Sequence, residues 1–109
     1  MTKNEQREIN ESVLCVLNDY RDKSWDMYHE RKLRSCSATV ADAVDPETGE
    51  LRYIVLRSYR TVIALIDTRT NTLYDFLRYV YGYTATSAQH ISKFARDYGA
   101  TSTLRYYPV

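Results

Sequence analysis

Glycine and proline are scarce in this sequence, with three and two among 109 residues. Long flexible linkers are therefore excluded. Disorder of the bulk of the chain is excluded as well, because 44% of the residues are hydrophobic and can supply a core. Long apolar runs are missing too. The best one, Val62 to Ile66, falls far short of the ~20 residues that a membrane-spanning helix requires. The charged N-terminus has no signal-peptide pattern, so a cytosolic protein with no membrane partner is expected. Cysteine is limited to Cys15 and Cys36. Neither has a second cysteine at zinc-motif spacing, and both are read as reduced, partly buried thiols.

The usual signs of catalysis are also absent. His29 and His90 are the only histidines, and no HExxH or comparable motif brings three or four ligands together. His90 is read as a surface or cap-adjacent residue of a helix. No glycine-rich phosphate loop is present. Asp19, Asp22 and Asp26 stand at helical spacing, which suits a solvated face better than an acid/base pair. Neither cysteine has a flanking signature of an activated nucleophile. The expectation is a protein that is not an enzyme and has no catalytic residue, metal or cofactor.

Two features are pronounced. The first is charge asymmetry inside a net charge of +1. Residues 1–50 carry seven basic and eleven acidic side chains, and residues 51–109 carry eight basic and three acidic. The second is tyrosine, with eleven copies against one Trp and two Phe. Several lie beside arginines, as in Arg52-Tyr53, Tyr59-Arg60, Arg78-Tyr79 and Arg105-Tyr106. Tyrosine and arginine are enriched where proteins bind other macromolecules. They also suit nucleic acid, where rings stack on bases and Arg reaches phosphates.

The periodicity predicts one domain over 1–109, of α+β class. Residues 1–33 read as a helical segment. Thr2 and Glu5 have the form of a capping box, and Ile9, Val13, Val16, Leu17 and Tyr20 make an apolar stripe. Trp25, Met27, Tyr28 and Leu33 either extend this helix or form a second one. Arg31-Lys32-Leu33-Arg34 reads as a solvated end. Residues 35–83 read as a meander of antiparallel strands, with turns at Asp45-Pro46-Glu47-Thr48-Gly49 and Thr68-Arg69-Thr70-Asn71. The last of these strands, from Thr72, is drawn out irregularly through Tyr83. Residues 86–99 read as a helix capped by Thr86 and Gln89, with Ile91, Phe94, Ala95 and Tyr98 inward and Gly99 at its end. Residues 100–109 are a short strand or a tail. The sheet is expected to have three to five antiparallel strands, with the N-terminal and C-terminal helices packed on one face.

Three segments carry a resemblance. Ser58-Tyr59-Arg60-Thr61-Val62-Ile63-Ala64 is similar to a strand of the form SYxTxIA. Thr70-Asn71-Thr72-Leu73-Tyr74 resembles an NTLY segment. Tyr83-Thr84-Ala85-Thr86-Ser87-Ala88-Gln89-His90 resembles a YSxTTSxxH helix opening, although Gly82-Tyr83 stands where Tyr-Ser is usual. Together, over about residues 57–98, they resemble a small domain of unknown function common in phages and mobile elements. The whole chain, with its acidic N-terminal helix, is similar to the type II-A anti-CRISPR proteins.

That resemblance implies a phage-encoded inhibitor, at work in the cytoplasm of an infected bacterium. Its partner would be a type II CRISPR RNA-guided nuclease or the nuclease–guide complex. The contact is expected on one of two surfaces. One is the acidic helix face of Glu5, Glu8, Glu11, Asp19 and Asp22. The other is the Tyr–Arg surface of Arg57, Tyr59, Arg60, Arg78, Tyr79 and Tyr81. A net charge of +1 does not suit a pure DNA mimic. Two other readings stand beside this one: a small phage nucleic-acid-binding protein that uses the Arg/Tyr surface, and a structural protein that assembles with itself through a sheet edge.

Overall fold

The computed structural model describes residues 1–34, 37–82 and 84–108. Thr2 starts the first helix, α1 (Lys3–Asp22). Its hydroxyl accepts from the Glu5 N–H at 3.1 Å, and the Glu5 carboxylate accepts from the Thr2 N–H at 3.5 Å. This is the reciprocal cap that the sequence predicts. The helix buries Asn10, Val13 and Leu17.

Helix does not continue to residue 33. At Lys23 the backbone turns extended, and the Trp25 indole donates back to the Tyr20 carbonyl at 2.9 Å. The Trp25 ring also packs edge-on against Tyr53, at 5.3 Å. Residues expected to extend the helix instead form a strand, β1 (Asp26–Lys32), which pairs with β2 (Thr39–Val44). Pairing with a distant strand overrides local preference here. A register shift between Tyr28 and Arg31 breaks the period-two pattern that would reveal a strand in the sequence.

The basic run is not a solvated end. Arg31 donates to Asp42 at 2.9 Å and to the Tyr98 hydroxyl at 3.0 Å, and Leu33 is buried. Arg34 pairs with both carboxylate oxygens of Asp97.

The meander continues through β3 (Leu51–Ser58), β4 (Thr61–Asp67) and β5 (Thr72–Asp75). Residues 77–80 form a short helix, α2 (Leu77–Val80), where the sequence suggests strand. The cause is Asp75. One of its carboxylate oxygens accepts from the Leu77 N–H at 3.0 Å, and the other accepts from Arg105 at 3.1 Å. Tyr83, the expected end of the meander, and Ser35 and Cys36, at its expected start, lie outside the described residues.

The last helix, α3 (Ala85–Asp97), is capped by Thr84 rather than Thr86, with the Thr84 hydroxyl accepting from the Ser87 N–H at 3.2 Å. It ends at Gly99, whose φ of 71° is the left-handed conformation glycine adopts without a side-chain clash. Residues 102–105 then form β6 (Ser102–Arg105), which pairs in parallel with β5.

Among the described residues the sheet therefore has six strands in the order β1-β2-β3-β4-β5-β6, not three to five, and it is mixed rather than wholly antiparallel. The parallel pair follows from the helical crossover between its strands. The helices also lie on opposite faces, not on one. Tyr53 and Val55 of β3 pack with Val13 and Leu17 of α1. The alternate residues Ile54 and Leu56 pack with Ile91 and Phe94 of α3. Side chains alternate between the faces of a strand, so one strand serves both cores. Covering on both sides also explains why β4 is buried from Ile63 to Asp67. No helix among the described residues is long and apolar enough to cross a membrane.

Candidate functional site

Two of the three motif segments, 58–64 and 83–90, meet in space, whereas residues 70–74 take no part. The β3–β4 turn brings Ser58 and Tyr59 to the N-terminal end of α3, where Thr84, Thr86, Ser87 and His90 stand. With Ser37 and Tyr81 they line a cleft of about 290 Å³. Of the eight described side chains that line it, seven carry hydroxyls and none is a carboxylate.

Its floor is polar and buried. Ser58, Ser87 and His90 are only 6%, 5% and 7% exposed. Nδ1 of His90 is fully enclosed and has no hydrogen-bond partner among the described residues. Consequently neither serine is joined to it as a nucleophile–base pair. Burial, and secondarily the charge of Lys93, hold the His90 pKa below the ordinary histidine value. The imidazole is therefore neutral near pH 7. A buried polar atom without a partner costs about 1–3 kcal/mol, and Nδ1 carries that cost here.

The rim is aromatic. Tyr59 is 77% exposed and Tyr81 is 49% exposed. Tyr59 also has a φ of 57°, which costs a bulky side chain about 1–3 kcal/mol. Strain of this kind concentrates at ligand clamps and switch regions.

The other residues of the expected Tyr–Arg surface do not join this cleft. Arg60 lines a shallow depression beside Leu17, Tyr20 and Arg21 of α1. Arg57 is half-buried in β3. Arg78 lines a separate cleft with Asp75, Ala88 and Arg105, and Tyr79 packs against Tyr106 at 5.0 Å.

The expected acidic face is present with one exception. At about 100° per residue, Glu5, Glu8, Glu11, Asp19 and Asp22 share one side of α1, opposite Asn10, Val13 and Leu17. Glu5, Glu8, Glu11 and Asp22 are exposed. Glu8, Glu11 and Asp22 have no ion pair among the described residues. Asp19 is different. It accepts from the Tyr53 hydroxyl at 2.8 Å and pairs with Lys23 at 3.1 Å. Burial works to raise its pKa, but the hydrogen bonds from Tyr53 and Lys23 and the charges of Lys23 and Arg52 outweigh it and lower it. Asp19 is thus a structural anchor for α1. Its partner Tyr53 is buried, and burial together with that hydrogen bond raises the phenol's pKa well above the ordinary value.

Cys15 is exposed, not buried as the sequence suggests. At about 100° per residue it falls on the acidic side of α1, opposite Asn10, Val13 and Leu17. Native protein treated with a thiol reagent should therefore react at Cys15 within minutes, without denaturant, and Cys15→Ser should remove that reaction. Labelling at position 15 only after unfolding would contradict this exposure. Cys36 lies outside the described residues. Among the described residues no group of three or more His, Cys, Asp or Glu could hold a metal ion.

The sequence reading missed His90, Ser58 and Ser87 as site residues. A signal was available: Ser87, His90 and Phe94 recur at spacings of three and four, so His90 belongs to the buried stripe of α3. Comparison of the chain with protein-family models, curated proteins and solved structures finds no match.

Proposed function

We propose that this chain is an inhibitory binding protein that acts by occupying a type II CRISPR nuclease or its guide complex, without chemistry of its own. The observation that supports it best is the outer face of α1. There Glu8, Glu11 and Asp22 stand exposed and unpaired among the described residues, spread over about 20 Å of helix. A nuclease that holds a guide–target duplex in a basic channel offers the complementary surface. Electrostatic complementarity of this kind steers association and fixes register.

The test is a DNA-cleavage assay with purified nuclease and guide, in which the chain is added before or after target DNA. Inhibition only when the chain is added first would place the block at guide or DNA loading. Inhibition in either order would place it at the cutting step. Unimpaired cleavage with several nuclease orthologues would rule the reading out.

A second reading, a small nucleic-acid-binding protein, is favoured by the cleft, where two exposed tyrosines flank a floor with no carboxylate. Its mark is binding that weakens steeply with salt. The third reading, self-assembly through a sheet edge, is disfavoured by the edges themselves. β1 carries a bulge, a left-handed His29 and exposed Asp26, Glu30 and Lys32, and β6 is only four residues long. These are features that proteins use to block edge pairing.

A further inference from the structure

We infer that the cleft between the β3–β4 turn and the N-terminus of α3 is a binding site for the phosphate group of a nucleotide. The chemistry of the floor comes first. Ser58, Ser87 and His90 are each more than nine-tenths buried as residues, and none makes a side-chain hydrogen bond among the described residues, although only His90 Nδ1 is wholly enclosed. Buried polar atoms in folded proteins are nearly always satisfied by protein, water or ligand. Three unpartnered polar side chains around one opening suit a polar occupant.

The sign of the ligand follows from its surroundings. Among the described residues no acidic side chain lines the cleft, whereas hydroxyls that can donate surround it. The N-terminal turn of α3 points its positive dipole end at the same space. Thr84 caps the Ser87 N–H but leaves the preceding N–H groups without an intrahelical acceptor. Helix α3 has thirteen residues, long enough for that dipole to count. Lys93 adds positive potential at His90. Phosphate oxygens fit this set of donors.

The rim then selects a nucleotide over bare phosphate. Tyr59 and Tyr81 present open ring faces at the mouth, and the backbone at Tyr59 is held in a conformation that tyrosine rarely adopts. A base stacking on either ring would satisfy exposed aromatic surface that the fold itself does not use. No residue of α1 takes part, so the site does not depend on the nuclease partner proposed for that helix. It rests on the nucleic-acid reading only in the choice of one probe.

The experiment is an NMR titration of the intact chain that follows the His90 ring and the Ser87 amide. The probes are inorganic phosphate, adenosine, adenosine monophosphate and a short single-stranded DNA. Saturable shifts with phosphate and larger ones with the monophosphate, but none with adenosine, are expected. Shifts with the monophosphate and none with DNA would keep the site as one for free nucleotide and would remove the nucleic-acid reading. DNA that binds while His90 stays unmoved would keep that reading and overturn the site. No response at His90 or Ser87 to any probe at about 10 mM would also overturn it, leaving a cleft that holds only water.

Two variants sharpen the result. Ser87→Ala should fold normally and weaken the monophosphate and phosphate alike, about five-fold. Tyr59→Gly removes the ring and relaxes the backbone. It should weaken the monophosphate about 10-fold toward the level of inorganic phosphate, with no loss of Tm. Unchanged affinity in both variants would overturn the assignment.

Discussion

The triple variant Glu8→Lys, Glu11→Lys, Asp22→Lys is expected to lose inhibition of the nuclease while keeping its fold. Each reversal turns an attraction to a basic surface into a repulsion, at about 1–2 kcal/mol per charge, so affinity should fall at least ~100-fold in total. Stability should change little. All three side chains are exposed, and lysine is as good a helix former as glutamate. Lysine at position 22 lies at the C-terminal end of α1, where positive charge suits the dipole. Glu5 and Asp19 are left alone because one completes the N-cap and the other anchors Tyr53. A solvated face with no partner would carry the same charges, and unchanged inhibition by the triple variant would identify it as one.

Phe94→Ala is expected to give the largest loss of stability. Phe94 is fully buried on the inner side of α3 and packs against Tyr98 at 5.3 Å. Its truncation should cost about 3–5 kcal/mol, lowering Tm by roughly 15–25 °C in a domain of this size. The same physics tests the layered architecture. Val13→Ala acts on the core under α1, and Ile91→Val acts on the core under α3, with the sheet between them. Their effects, read from urea unfolding, should add to within ~0.5 kcal/mol. Strong coupling would mean that the two clusters form one core, contrary to helices on opposite faces.

Local signals made α1, the central strands and α3 legible in the sequence. The Thr2–Glu5 cap, the stripe through Val13 and Leu17, the turn at Asp45 to Gly49 and the stop at Gly99 are all written in neighbouring residues. What stayed hidden depends on distant partners. β1 reads as helix because its bulge disrupts the alternation of Met27 and Arg31, and only the ladder with β2 makes it a strand. β6 is four residues long and carries no sign of its direction, which is set by the α3 crossover. The run Ile63 to Ile66 is apolar on both sides because two helices cover the sheet, but an apolar run alone does not say so.

The candidate site was half legible. Glu8, Glu11 and Asp22 are exposed as their spacing suggests, and Tyr59 and Tyr81 are exposed and share one cleft. Arg57, Arg78 and Tyr79 do not join that cleft, because adjacency in sequence scatters them over different elements. His90 was hidden for a different reason. Its burial follows from the stripe of α3, but its unpartnered Nδ1 becomes visible only when Ser58 and Ser87 are placed beside it.

The most direct measurement is equilibrium binding of the purified chain to an immobilised nuclease–guide complex at low and physiological salt. Saturable binding is expected, weaker at the higher salt and abolished by the triple charge reversal on α1. Absence of binding at micromolar chain, or binding that the reversal leaves unchanged, would contradict a docking surface on that helix.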